Sequence, residues 1–411
     1  MRAAFALLFV GVIGVGVWFG VSRARYTPDP VDLSTIMLDW TTEEVAMMRA
    51  HTPLGEAPID ETNRWSGDEA AAAFGHALFF SPELSGNGEV SCVSCHTPSM
   101  GFGDGRAQAR GIGEQSRHSQ SLWNVAHQRW FTWDGRENTL WGHSVNPIED
   151  PREMGSSRAH VAALMRDDPP WRARYVAVFG EPTSDDTEVF VNLGKAMAAY
   201  QERLVSRRSP FDVFVEGLIE ADAEKISALS LEAQRGLRTF LTVGTCVSCH
   251  SGPNFSDGAF HSVRMAPLEG GVPTDAGRHA GLGSLARSEF TAAGPWSDAP
   301  EGVRARLERR QVRTEESWGA FRTPSLRNVA LSAPYMHQGQ KLALRDVVRH
   351  YSAFEGALAP GHHANDDPLL VPMELRETQI DEVVAFLESL TDEGSADARW
   401  FSDPTESGEA R

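Results

Sequence analysis

The chain has 411 residues, room for two or three domains of ordinary size, and its 41% hydrophobic and 23% charged residues are those of a globular protein rather than a disordered or fibrous one. A formal net charge of −18 argues against a nucleic-acid partner, because phosphate backbones call for Lys and Arg, and it favours encounter with a basic protein.

Arg2 precedes an unbroken apolar run from Phe5 to Val21, which Ser22-Arg23-Ala24-Arg25 follows. That run is long for the apolar stretch of a signal peptide and slightly short for a spanning helix. Residues 1–25 therefore read as a signal anchor, or as a signal peptide cleaved at Ser22-x-Ala24, and residues 26–64 as a linker. A helix is expected over Ala70 to Phe80, opened by a Ser66-x-x-Glu69 capping box.

Cysteine usage narrows the class. The four Cys fall in Cys92-Val93-Ser94-Cys95-His96 and Cys246-Val247-Ser248-Cys249-His250. A C-x-x-C pair alone suits a redox dithiol or half a zinc site, whereas C-x-x-C-H reads as c-type heme attachment. There the two thiols form thioethers to the porphyrin vinyls, and the adjacent His is delivered to the iron. A zinc site built from both pairs would leave His96 and His250 unexplained. Two covalent hemes use every Cys and leave none for disulfides.

Further along, Ser119 to Gly155 carries Leu122-Trp123-Asn124-Val125-Ala126, Phe131-Thr132-Trp133-Asp134-Gly135-Arg136 and Asn146-Pro147-Ile148-Glu149-Asp150-Pro151-Arg152-Glu153-Met154-Gly155. From Ser156 to Ser206 apolar residues recur at helical spacing, as in Val189, Phe190, Leu193 and Met197, and mark core-facing helices. A second helix, Leu231 to Leu241 opened by Ser230, precedes the second motif as the first helix precedes the first. Both helices hold a Gly (Gly75, Gly236) followed by a Phe (Phe79, Phe240), the mark of a degenerate duplication. Residues 251–320 read as a loop-dominated excursion. Leu344, Val347, Val348 and Tyr351 fall on one helical face, and a last helix near Thr378 aligns Ile380, Val383, Val384, Leu387 and Leu390. The stretch 393–411 reads as a polar, mobile tail. The fold expected is mostly α: two cytochrome c-like heme domains in tandem, one over 65–205 and one over 206–392.

These motifs, with Ser209-Pro210-Phe211-Asp212, Phe321-Arg322-Thr323-Pro324-Ser325-Leu326-Arg327-Asn328 and Ala333-Pro334-Tyr335-Met336-His337, resemble the bacterial diheme cytochrome c peroxidase and MauG superfamily from about Ser66 to Leu390. The resemblance implies that His96 is the proximal ligand of a peroxidatic heme and His250 that of an electron-transfer heme. It makes Trp133 the relay between the hemes and Glu153 the distal acid–base residue, since burial raises a carboxylate pKa towards neutrality. Arg117, Arg136 and Arg327 are candidates for the heme propionates, as Arg suits carboxylates.

Three departures refine that reading. Gly111-Ile112-Gly113 puts Ile112 where bis-His relatives carry a distal His, so a five-coordinate or water-bound iron needing no reductive activation is expected. Tyr351 stands where peroxidases often present Met, as in MauG-like proteins, with His350 and Met336 as fallback ligands. His143 replaces the usual Gln ten positions before Glu153, as a proton-transfer aid or a hydrogen-bonding spacer. The family's inter-heme calcium is left in doubt, because its Asn position is His118 and its carbonyl positions are Ser332 and Pro334. The reading is thus a MauG-like peroxidase of the periplasm, held at the inner membrane by residues 5–21 if these are uncleaved. It would use hydrogen peroxide to form high-valent heme iron and oxidise a partner protein or small donor. The alternatives are a peroxide-scavenging cytochrome c peroxidase fed by a small cytochrome or cupredoxin, and a non-enzymatic diheme electron carrier.

Overall fold

The structure, a computed structural model, describes residues 33–359, 367–392, 394 and 398–404. The expected anchor over 5–21 lies outside them. Among the described residues no helix is long and apolar enough to cross a membrane.

The fold is mostly helical. After α1 (Thr42–Arg49), the first half is built from α2 (Glu69–Phe80), α3 (Leu140–Glu149), α4 (Arg158–Asp167), α5 (Pro169–Phe179) and α6 (Asp186–Gln201). The second half follows as α7 (Pro210–Glu220), α8 (Ala223–Ile226), α9 (Leu231–Leu241), α10 (Arg278–Leu285), α11 (Val303–Glu308), α12 (Leu344–Ala353) and α13 (Glu377–Glu388). The only strands among the described residues are β1 (Phe260–His261) and β2 (Phe321–Arg322), paired antiparallel. Buried side chains form two clusters, one around Phe79, Trp141, Phe190 and Tyr200, the other around Phe211, Phe240, Phe255 and Phe386.

One packing device is used twice. A β-carbon on Gly75 of α2 would lie 2.0 Å from the Ala196 carbonyl oxygen of α6, and one on Gly236 of α9 would lie 1.8 Å from the Glu382 carbonyl oxygen of α13. Each glycine lets its helix cross a neighbour at backbone contact, so the duplication read from Gly75 and Gly236 is a repeat of helix crossings. The caps differ. Ser230 caps α9 as expected, accepting from the Ala233 N–H at 3.1 Å. For α2 the cap is Asp68 rather than Ser66: the Asp68 carboxylate accepts from Ala71 N–H at 2.8 Å, while the Ser66 hydroxyl donates to Glu202 at 2.8 Å. A carboxylate oxygen at the N-cap is placed to meet the first-turn N–H groups, whereas the Ser66 hydroxyl lies two residues before the cap.

The ends of the body are more structured than linker and tail composition suggests, and they cross over. Residues 36–48 pack on the second half through Ile36, Met37, Trp40 and Met48. Trp400 is buried against the first half, where its carbonyl accepts from the Tyr200 hydroxyl at 2.8 Å, and Phe401 lies against Phe102 and Trp123. The expectation of a polar tail over 393–411 is thus corrected at 398–404. Two aromatics outweigh their polar neighbours because each buries a large apolar area. The 251–320 excursion also returns to the first half, placing Phe290 in its core and Asp298 against Lys195 at 2.6 Å.

Ala in place of Gly75 or Gly236 forces the crossing helices apart. Each substitution is expected to cost about 1–3 kcal/mol or more, as overpacking does. Urea or thermal unfolding of the holoprotein measures this, and midpoints matching wild type would contradict the close crossings.

Candidate active site

Both Cys-x-x-Cys-His segments form a short 3-10 turn, Cys92–Ser94 and Cys246–Ser248, closed by His96 N–H to Cys92 carbonyl at 2.9 Å and His250 N–H to Cys246 carbonyl at 2.8 Å. The imidazoles are fixed alike. His96 Nδ1 donates to the Phe102 carbonyl at 3.0 Å, and His250 Nδ1 to the Phe255 carbonyl at 2.9 Å. That leaves each Nε2 as the free base a heme iron takes. Phe102 and Phe255 both have left-handed backbones (φ 59° and 48°), held there by fully buried rings.

The repeat runs on past these turns. Leu122-Trp123-Asn124-Val125-Ala126 and Leu326-Arg327-Asn328-Val329-Ala330 each turn on a left-handed Asn. Phe131 bridges to Glu137, and Tyr335 to Lys341, around left-handed Thr132 and Met336. Helices α3 and α12 then begin at Leu140 and Leu344. In this register Trp133 corresponds to His337 and His118 to Arg322. Pro147, inside α3, corresponds to Tyr351 on α12. The two halves thus offer equivalent helices with unlike chemistry at one position.

In the first half, the Glu153 carboxylate acts on the Cys92 and Cys95 thiols, and His143 feels His96, so these groups lie near one another. Burial pushes the Glu153 carboxyl above the usual carboxylate range. Burial first, and then the nearby His96, holds His143 down at about 3, so its imidazole is neutral at any physiological pH. The His143 ring stacks on Phe131 at 5.8 Å. The Gly111-Ile112-Gly113 loop lies behind Glu153: Ile112 N–H donates to the Glu153 carbonyl at 2.9 Å, and a β-carbon on Gly111 would stand 2.3 Å from that oxygen. Ile112 packs over Gly155 and presents no ligating atom.

Glu137 escaped the sequence reading. It is buried, its Oε2 has no partner, and burial lifts its carboxyl to about 8, so it carries a proton at neutral pH. An acid following Arg136 in a loop gives no sequence signal for this.

The second cavity is lined by His250, Trp133, Tyr351, Arg322, Met336 and Met373. The Cys249 and Cys246 thiols act on the Tyr351 hydroxyl, which burial pushes well above the usual phenol range. His350, one of the fallback ligands, is turned away, its Nε2 donating to the Val263 carbonyl at 2.9 Å. Met336 remains on the cavity wall.

The arginines are redistributed. Arg327 is spent on Asp212, 2.9 and 3.0 Å from its two oxygens, and on the His51 carbonyl at 3.0 Å. Arg117 lies 2.7 Å from both Asp134 and Asp275. Nearby carboxylates thus engage both, although Arg327 also stands on the wall of the second cavity. Arg136, 3.4 Å from Asp134 and partly exposed, stays available. Arg322 is the residue the motif concealed. It is buried and meets main-chain carbonyls of Thr132 and Thr323 at 3.3 Å, and burial alone lowers it to about 10. A buried guanidinium facing a cavity with no carboxylate is costly unless an anion joins it.

The family model for di-haem cytochrome c peroxidase matches residues 69–220. The methylamine utilization protein MauG of Methylorubrum extorquens is 31% identical over 88% of this chain and 90% of its own length. The cytochrome-c peroxidase IdrP1 of Denitromonas iodatirespirans is 33% identical over 82% of this chain and 85% of its own. The chain belongs to the di-haem cytochrome c peroxidase family. Among solved structures, a MauG-like protein associated with microbial copper homeostasis superposes with a TM-score of 0.64 at 28% identity, covering 86% of this chain and 97% of its own.

As a family member the chain is a diheme c-type peroxidase, an oxidoreductase that acts on hydrogen peroxide. The residues present fit two hemes: paired thiols beside each oriented imidazole, and the uncompensated Arg322 cation on the second cavity. They do not fit the family's calcium. His118 offers an imidazole where an oxygen donor is required, and the ring is engaged by the Arg106 carbonyl at 2.7 Å.

Arg327 and Arg322 are separable by substitution. Arg327→Met strands Asp212 and is expected to cost about 3–5 kcal/mol in unfolding experiments. Arg322→Met is expected to lower the reduction potential of the second heme with a smaller loss of stability, read by spectroelectrochemical titration. The opposite pattern would reverse the two assignments.

Proposed function

We propose that this protein is a MauG-type diheme peroxidase of the periplasm, using hydrogen peroxide to oxidise a partner protein or a small electron donor. The observation that carries the reading is the mismatch at one position of the repeat, Pro147 on α3 against Tyr351 on α12. Proline has no ligating atom to offer the first heme, whereas the phenol on the matching helix would help to hold the second.

When bound, the two c-type hemes supply the redox chemistry of peroxide reduction. His96 and His250 would hold them through Nε2, with Cys92, Cys95, Cys246 and Cys249 as thioether links. Arg136 and Arg322 are assigned to heme carboxylates. Tyr351 Oη would serve as a further ligand at the second site, where a hard anionic donor favours the oxidised metal and lowers its potential.

Glu153 moves the proton. Its carboxylate oxygen takes a proton from one peroxide oxygen and returns it to the other, and the raised pKa suits both halves of that transfer. His143, held neutral, orients by hydrogen bonding and does not act as an acid. Trp133, bonded to His118 on one side and Arg322 on the other, is the relay between the sites. Covalent heme attachment requires export, which places the body in the periplasm, and residues 5–21 serve as its leader or anchor.

A second reading is a scavenging cytochrome c peroxidase drawing electrons from a basic small cytochrome or cupredoxin. The net charge of −18 and the name of the relative from D. iodatirespirans favour it. Steady oxidation of such a reduced carrier by peroxide distinguishes the two.

Glu153→Gln is expected to slow the reaction with peroxide about 10²–10⁴-fold in stopped-flow mixing, the usual worth of a general acid–base group. Tyr351→Phe is expected to abolish the optical response of the second heme to peroxide. An unchanged spectrum and turnover in Tyr351→Phe would overturn the MauG-type reading.

A further inference from the structure

His118 works across the seam between the two heme domains with both its backbone and its side chain. Its N–H donates to the His337 carbonyl of the second half at 2.9 Å, and its carbonyl accepts from Trp133 Nε1 at 2.8 Å. Its ring, nearly fully buried, donates through Nδ1 to the Arg106 carbonyl at 2.7 Å and lies close to the Ser332 main chain of the other half. The loops on either side are pressed together: a β-carbon on Gly339 would lie 2.3 Å from Ala107 Cα, and one on Gly101 would lie 2.9 Å from the Leu331 carbonyl oxygen. Asp104, with a buried Oδ2 that has no partner, directs its charge at the same ring. The repeat supplies the mirror contact, since the Arg322 N–H donates to the Trp133 carbonyl at 2.8 Å. Trp133 is thereby gripped at its indole by one half and at its backbone by the other.

We infer that the His118 side chain is a positioning residue, a cross-link built from an imidazole that ties the 101–118 loop to the 331–339 loop and holds the Trp133 indole between the hemes. It does the work that a hard cation bound by carbonyls at this junction would do, so the seam needs no calcium. The ring is bonded to the Arg106 carbonyl of its own loop while the His118 N–H is bonded to the His337 carbonyl of the other half, and a buried residue tied in both directions fixes geometry because losing one partner strands the other. The consequence for inter-heme transfer rests on the relay reading of Trp133; the tie itself does not.

Hydrogen–deuterium exchange of the holoprotein reads the tie without any reaction taking place. Wild type is expected to show the same exchange over residues 101–120 and 330–340 with EGTA, with added calcium, or with neither. His118→Ala is expected to speed exchange about tenfold or more in both segments, as local opening becomes easier. His118→Gln, which keeps an amide donor for the Arg106 carbonyl, is expected to return towards wild type. In the same proteins the response of the second heme to peroxide, measured relative to that of the first, is expected to slow tenfold or more in the Ala variant and recover in the Gln variant. A general loss of stability would not move that ratio. If His118→Ala does not accumulate, His118→Gln and the chelator arm carry the comparison. Exchange that rises in wild type on EGTA treatment, or stays at wild-type rates in His118→Ala, overturns the inference. Failure of the peroxide response alone counts against the relay reading and leaves the exchange result to decide the tie.

Discussion

Everything in this molecule hangs on the hydrogen bond from each proximal imidazole to the carbonyl of a left-handed phenylalanine. His96 and His250 cannot rotate because Phe102 and Phe255 hold their Nδ1 protons, and those carbonyls point correctly only because the Phe backbones sit at positive φ. A non-glycine residue there costs free energy unless its side chain is well anchored. Both rings are buried in the core of their own half, so core packing offsets the backbone cost. Helix crossing, core and imidazole orientation form one chain of cause in each half, and the chain was copied when the half was duplicated.

Function comes from where the copies differ. The same register gives Trp133 in one half and His337 in the other, His118 against Arg322, Pro147 against Tyr351, and Glu137 against Lys341. Trp133, His337, His118, Arg322 and Tyr351 all line the second cavity. One half gains a buried carboxyl, Glu153, that burial makes proton-retentive, while the other gains a phenol and an uncompensated cation. A symmetrical pair of heme domains would carry electrons; in the proposed reading these substitutions divide the labour between a reacting site and a capped one.

Much of this was legible in the sequence because covalent chemistry and turns leave short-range marks. The Cys-x-x-Cys-His motifs, the helices before them and the loop-dominated excursion all appear where expected, and Tyr351 falls on the inward face its spacing gives. Long-range pairing was not legible. Arg117 and Arg327 looked free because Asp275 and Asp212 are distant in the chain, and Arg322 looked unremarkable within a motif until its lack of a carboxylate was visible. Trp400 and Phe401 were hidden by their polar neighbours. Glu137 has no local signature, since burial of a single acid is a property of the assembled core.

The central claim is that the two irons are unlike, one open beside Glu153 and one closed between His250 and Tyr351. The EPR and optical spectrum of the ferric holoprotein tests it most directly. The account predicts one high-spin heme and one low-spin heme whose spectrum is that of His/Tyr ligation. Two low-spin, six-coordinate hemes would contradict it.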